Sequence, residues 1–149
     1  MIFEIPRPMV IEHEALHDHL RHAASLPGET GEAARAVAKL MHSHFVKEEE
    51  YALPPLGLLG ALARGERSPE MRDVLALTDR LKAELPEMLA EHIAIVGALD
   101  KLAEAARAGG HDEVVEFVAE LKLHAQTEEL VAYPAAIVVG EFVRRALHA

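Results

Sequence analysis

The chain repeats itself, and it repeats around polar residues that sit on apolar helical faces. His44-Phe45-Val46-Lys47-Glu48-Glu49 returns eighty residues later as His124-Ala125-Gln126-Thr127-Glu128-Glu129, and the same shift carries Pro54 onto Pro134 and Gly60 onto Gly140. One segment earlier, Glu12-His13-Glu14-Ala15-Leu16 returns as Glu91-His92-Ile93-Ala94-Ile95 at a shift of seventy-nine. Two helix pairs of one design, related by a pseudo-two-fold axis, satisfy such a repeat.

Three clusters of helix breakers divide the chain: Pro27-Gly28-Glu29-Thr30-Gly31, Arg64-Gly65-Glu66-Arg67-Ser68-Pro69 and Ala108-Gly109-Gly110-His111-Asp112. Ser68 with Pro69 reads as a helix start, and Asp112 as the cap of the last helix. Between the breakers run four long segments of helical period and no period-2 run. Half of the 149 residues are apolar and only six are aromatic, a mixture that suits packed helices. Residues 1–149 therefore read as one all-α domain, an antiparallel up-down-up-down four-helix bundle. Pro54, Pro86 and Pro134 are expected to interrupt or kink the helices. Helices 2 and 4 should continue as short, re-angled extensions after Pro55 and Pro134.

The stripes that face the core are Met9, Val10, His13, Leu16, His17 and Leu20; Val37, Leu40, Met41, His44, Glu48 and Tyr51; Leu85, Met88, Leu89, His92, Ile95, Val96 and Leu99; and Val114, Phe117, Leu121, His124, Glu128 and Val131. Each carries polar groups near mid-span, where burial without partners is expensive. Residues i and i+4 stack on one helix face, so His44 with Glu48, and His124 with Glu128, can address one point. In an assembled bundle, His13, His44, His92 and His124 would converge with Glu48 and Glu128. Two histidines per ion, and two carboxylates spanning both ions, match the way helix bundles hold metal pairs. An oxo or hydroxo bridge would add a fifth ligand to each ion and leave room for a small exogenous one. A hydrogen-bonded core histidine, or an exposed i,i+4 pair, is the plain alternative for each residue taken singly.

At these residues the sequence resembles the hemerythrin-like (HHE cation-binding) domains, in the six-ligand H…HxxxE…H…HxxxE form. The resemblance runs from about Pro8 to the end. It implies an antiparallel four-helix bundle around two iron ions, with zinc or manganese as alternative occupants, and ligands such as O2, H2O2 or NO. Oxygen-carrying hemerythrins have a second histidine on the third helix and an aspartate on the fourth; here Val96 and Glu128 stand instead. That departure points toward the branch with iron–sulfur repair and catalase-like peroxide handling. A non-enzymatic O2 or NO sensor, an iron-storage or delivery protein, and a helical interaction module with a structural metal are the rival readings.

Around the six ligands, His17 lies one turn from His13 and is a candidate seventh ligand. Tyr51, seven residues after His44, is a candidate catalytic donor to a bound peroxide. Glu12, Glu91, Glu49 and Glu129 flank the core and can either orient imidazoles or face solvent. His19, His22, His42, His111 and His148 read as surface residues. Gly57, Gly60 and Gly140 allow close packing, and the apolar segments near Leu58 and Val138 suggest a homodimer patch. A formal charge of −10 argues against nucleic acid and anionic membranes as partners. The segment Met1 to Pro8 is too interrupted for a signal peptide, and the longest apolar run is half a membrane span; a cytoplasmic protein is expected. With no cysteine there is neither a disulfide nor a thiolate ligand.

Overall fold

Each apolar segment between the breakers is a helix. The computed structural model describes residues 3–148; Met1, Ile2 and Ala149, the ends of the 1–149 unit, lie outside the described residues. The helices are α1 (Arg7–Ala24), α2 (Gly28–Lys47), α3 (Leu59–Ala63), α4 (Val74–Gly109), α5 (Asp112–Thr127) and α6 (Tyr133–Ala146), and no strand occurs among the described residues. The four long helices form a closed ring, with α1 and α4 each packed against both α2 and α5. None of the described helices is long and apolar enough to cross a membrane.

The helix ends follow local chemistry in most places. Gly110 closes α4 in the left-handed conformation (φ 74°), which costs a residue without Cβ nothing. Asp112 lies inside the first turn of α5 rather than at its cap, where it and Glu113 favour the positive end of the helix. Ser68 has the extended backbone of a cap residue, and Pro69 opens a 3-10 turn that leads into α4. Pro86 does not interrupt α4, which runs 36 residues, about 54 Å, straight through it. Leu81 and Met88, both fully buried, anchor the helix on either side of the missing N–H.

The prolines at Pro54 and Pro134 act differently. Ahead of each, the helix widens into one π-helical turn, Glu48–Ala52 and Glu128–Ala132, beginning at a core glutamate. The Leu53 amide bonds the Glu48 carbonyl five residues back at 2.9 Å. A proline cannot donate to the carbonyl four residues earlier and crowds it, and a widened turn relieves that conflict. After Pro54–Leu58, a 3-10 turn, α2 passes into the short α3, while α5 passes directly into the 14-residue α6.

The apolar interior comes in layers. Leu16, Val37, Ile95, Leu99, Phe117 and Leu121 fill the ring of four helices. Tyr51, Leu53, Leu81, Met88 and Tyr133 fill the region of the π turns. Each such side chain contributes roughly 1.5–3 kcal/mol on burial. Leu58 packs in a third layer with Met71, Val74, Val139 and Val143. Leu58 and Val139 are therefore core, and of the apolar segments expected to form a dimer patch Leu59 and Val138 are exposed. Of the three glycines expected to pack closely, two do: a Cβ on Gly140 would stand 2.1 Å from Thr78 Oγ1, and one on Gly57 would stand 2.2 Å from the Glu4 carbonyl oxygen. Gly60 meets only the tip of Arg64, so tight packing does not require a glycine there.

A candidate metal centre between the two halves

Between the first two apolar layers lie His13, His44, Glu48, His92, His124 and Glu128, all buried. They form two groups. His44 Nε2 stands 2.8 Å from His92 Nε2 and 2.9 Å from Glu48 Oε1, and His92 Nε2 stands 3.5 Å from Glu128 Oε1. His13 Nε2 stands 3.0 Å from His124 Nε2, 3.7 Å from Glu128 Oε2 and 3.8 Å from Glu48 Oε2, with His124 Nε2 3.3 Å from Glu128 Oε2. Each carboxylate thus turns one oxygen to each histidine pair. Ligands held about 2.1 Å from one ion at right angles lie about 3 Å apart, the scale of these separations. His44, Glu48, His92 and Glu128 in one group, and His13, His124 and Glu128 in the other, lie close enough together that each group could hold a metal ion.

Proton accounting sharpens that fit. A neutral imidazole has one N–H. His124 Nδ1 faces Glu12, and His92 Nδ1 lies 3.0 Å from Glu129 Oε1, so either ring, when neutral, donates outward and turns its lone pair inward. His44 Nδ1 lies 3.6 Å from Glu91 Oε2, whose other oxygen takes Lys47 at 2.7 Å. Nitrogen lone pairs 2.8–3.0 Å apart, beside carboxylate oxygens, repel unless a proton or a cation lies among them. Glu48 Oε2 and Glu128 Oε2, moreover, are buried and accept no hydrogen bond.

Without a metal, protons must occupy this space. Burial, then the charge of Glu128, pushes Glu48 up to about 7. Burial pushes Glu128 up as well, but the facing Glu48 carboxyl and the imidazoles of His124, His13 and His92 outweigh it and hold Glu128 well below the usual carboxylate range. Burial opposes the charge on His124, yet Glu128 and Glu12 raise it to about 9. His92 is raised for the same reason, by Glu128 and Glu129 against burial. One proton shared between the carboxylates and further protons on the imidazoles take the place a cation would fill.

Two residues singled out from the sequence stand apart from the six. His17 is half-buried, its ring stacked 4.1 Å from Phe45, and burial with the neighbouring His13 lowers its pKa. Tyr51 is fully buried, but its hydroxyl donates to Glu84 and lies 3.7 Å from Met88 Sδ. The tyrosine that reaches the centre is Tyr133, donating to Glu48 Oε1 at 2.5 Å and lying 3.3 Å from both His44 Nε2 and His92 Nε2. Burial among the Glu48 and Glu128 charges drives its pKa far upward, so the phenol keeps its proton.

An ideal helical period from Glu128 points Val131 inward. The π turn adds a residue, so Tyr133 turns in and Val131 out. The prolines that follow Leu53 and Tyr133 were the available signal. Of the flanking acids, Glu12, Glu91 and Glu129 face imidazoles, whereas Glu49 is exposed. His19, His22, His42 and His148 are exposed and His111 is half-buried. No protein-family model, curated protein or solved structure matches the chain.

Proposed function

We propose that the chain is a hemerythrin-like, non-haem di-iron protein of the cytoplasm that binds, and can turn over, O2, H2O2 or NO. The observation that carries this reading is the set of converging ligand atoms: four imidazole nitrogens and four carboxylate oxygens, divided evenly between two positions. A pair of iron ions there would supply electrons two at a time. His44 and His92 would hold one ion, His13 and His124 the other, and Glu48 and Glu128 would span both. Glu12 and Glu129 orient imidazoles, and Tyr133 keeps a proton at Glu48 Oε1. The surrounding apolar layers exclude water.

In the same reading the ring of helices is an antiparallel, up-down-up-down bundle kinked at the π turns. Thr30, near the start of α2, bonds the carbonyl of Ala105, near the end of α4; Lys47, at the end of α2, reaches Glu87 and Glu91. Metal analysis of protein purified without chelator, with optical spectra before and after peroxide, tests the proposal. Two iron ions per chain and a near-ultraviolet charge-transfer band are expected. A single zinc, or no metal after reconstitution with ferrous iron, would refute it.

A further inference from the structure

The ring of helices has two seams that the repeat makes equivalent, α1 with α5 and α4 with α2, and they are built differently. α2 and α4 form the most extensive contact of the ring, and α1 and α5 the least. Two cavities, of about 360 and 160 Å³, lie along the α1–α5 seam and share His19 and Glu120 in their linings. The larger reaches inward to Glu12 and His124, and the smaller runs on to His22, Glu113 and Glu116. Among the described residues, no lysine or arginine lines either cavity.

Imidazole–carboxylate pairs cross this seam at three levels. His22 Nε2 lies 3.3 Å from Glu113 Oε1, His19 Nδ1 lies 3.6 Å from Glu120 Oε2, and His124 Nδ1 meets Glu12. Along α1 the levels are about 4.5 and 10.5 Å apart. The innermost ends on a buried imidazole of the candidate centre, since His124 is only 7% exposed. The other seam lacks this lining. The repeat carries His19 onto Ala98, His22 onto Lys101, Glu116 onto Ala36 and Glu120 onto Leu40. Ala36 and Leu40 are exposed as well, so exposure alone does not require carboxylates at these positions. At the inner end Thr127 becomes Lys47, whose ammonium donates to Glu91, the counterpart of Glu12, at 2.7 Å. One seam is closed by a cation of the chain itself; the other lines its cavities with imidazoles and carboxylates alone as charged groups.

We propose that the α1–α5 seam binds a divalent first-row cation at His19, Glu116 and Glu120, and is the route by which that cation reaches the buried centre. Glu116 stands one turn from Glu120 on the same face of α5, and imidazole with carboxylate suits such ions. A groove lined by one sign of charge raises the local concentration and arrival rate of its counter-ion. With a shell of about six waters the ion takes roughly 180 Å³, at about 30 Å³ per water, so the larger cavity admits it hydrated. Glu12, more than half exposed yet bonded to His124, is the last carboxylate before the His13–His124 position. The route rests on the metal-centre reading; cation binding in the seam does not.

Two measurements on the full chain test this. Mn2+ titrated into isotope-labelled protein that has been loaded with Zn2+ and desalted should broaden the amide NMR signals around His19 and Glu120 first, while those around Leu40 and Ala98 stay sharp. His19→Ala/Glu116→Ala/Glu120→Leu, which copies the other seam, should abolish that broadening. The same variant should slow stopped-flow uptake of Co2+ by metal-free protein at least tenfold, with the final Co2+ affinity within about twofold of wild type. Glu32→Ala/Glu104→Ala removes as many carboxylates outside the seam and should leave the uptake rate within about twofold. Broadening spread evenly over the acidic surface, uptake at the wild-type rate in the triple variant, or equal slowing in the double variant would overturn the inference. Seam-localised Mn2+ in a protein whose core takes up no Co2+ would sink the metal-centre reading and the route while upholding the seam site; a core that fills at full rate in the triple variant would sink only the present inference.

Discussion

Replacing each tyrosine by phenylalanine separates the two that lie near the centre. Tyr133→Phe removes one hydroxyl from a fully buried position and takes from Glu48 Oε1 its 2.5 Å donor. Hydrogen bonds to charged groups contribute about 1.5–3 kcal/mol, and the ring's packing is retained in phenylalanine. For a chain of this size the metal-free protein should melt roughly 3–10 °C lower. Loss of a group that steadies a metal ligand typically weakens binding about 10–100-fold, so competition against a chromophoric chelator should show a drop of that order. Tyr51→Phe removes a donor to Glu84, a half-exposed carboxylate that water can solvate, and touches none of the six inward residues. It should leave metal affinity within about twofold by the same criterion. If Tyr51→Phe weakened metal binding and Tyr133→Phe did not, the assignment of Tyr133 to the centre would be wrong.

Three other outcomes follow from the same geometry. His44→Ala should lose most bound metal and the near-ultraviolet band, while His17→Ala, which removes only a stack on Phe45, should retain both. Metal binding must displace protons from His124, raised to about 9, and from Glu48, raised to about 7. Apparent affinity should therefore rise between pH 6 and 9 and level off above, with proton release detectable in weak buffer; a flat profile would contradict the proton accounting. The raised His124 also stabilises the metal-free fold fully only below its unfolded value near 6.5, so melting temperature should fall as pH climbs through about 9, and bound metal should remove that dependence. Gly140→Ala drives a Cβ into Thr78 and should cost about 1–3 kcal/mol in chemical denaturation.

Helical class, the number of long helices and the six converging residues were legible in the sequence because each depends on local periodicity. A histidine and a glutamate four apart share a helix face wherever the helix goes, and the eighty-residue repeat doubled that signal. The same period failed beyond Glu128, where a single inserted residue in a π turn exchanged Val131 for Tyr133. Tyr51 is inward, as its spacing suggests, but α4 rather than its own helix decides what its hydroxyl meets.

What the chain alone determined is therefore the donor set: residue types, spacing and duplication. Only the tertiary structure decided that the halves are unequal in access, because α4 packs closely on α2 beside one, whereas α1 and α5 leave cavities beside the other. Repeated residues specify what faces inward on each helix. Which half solvent or a ligand can reach depends on elements distant in the chain, and no local period encodes it.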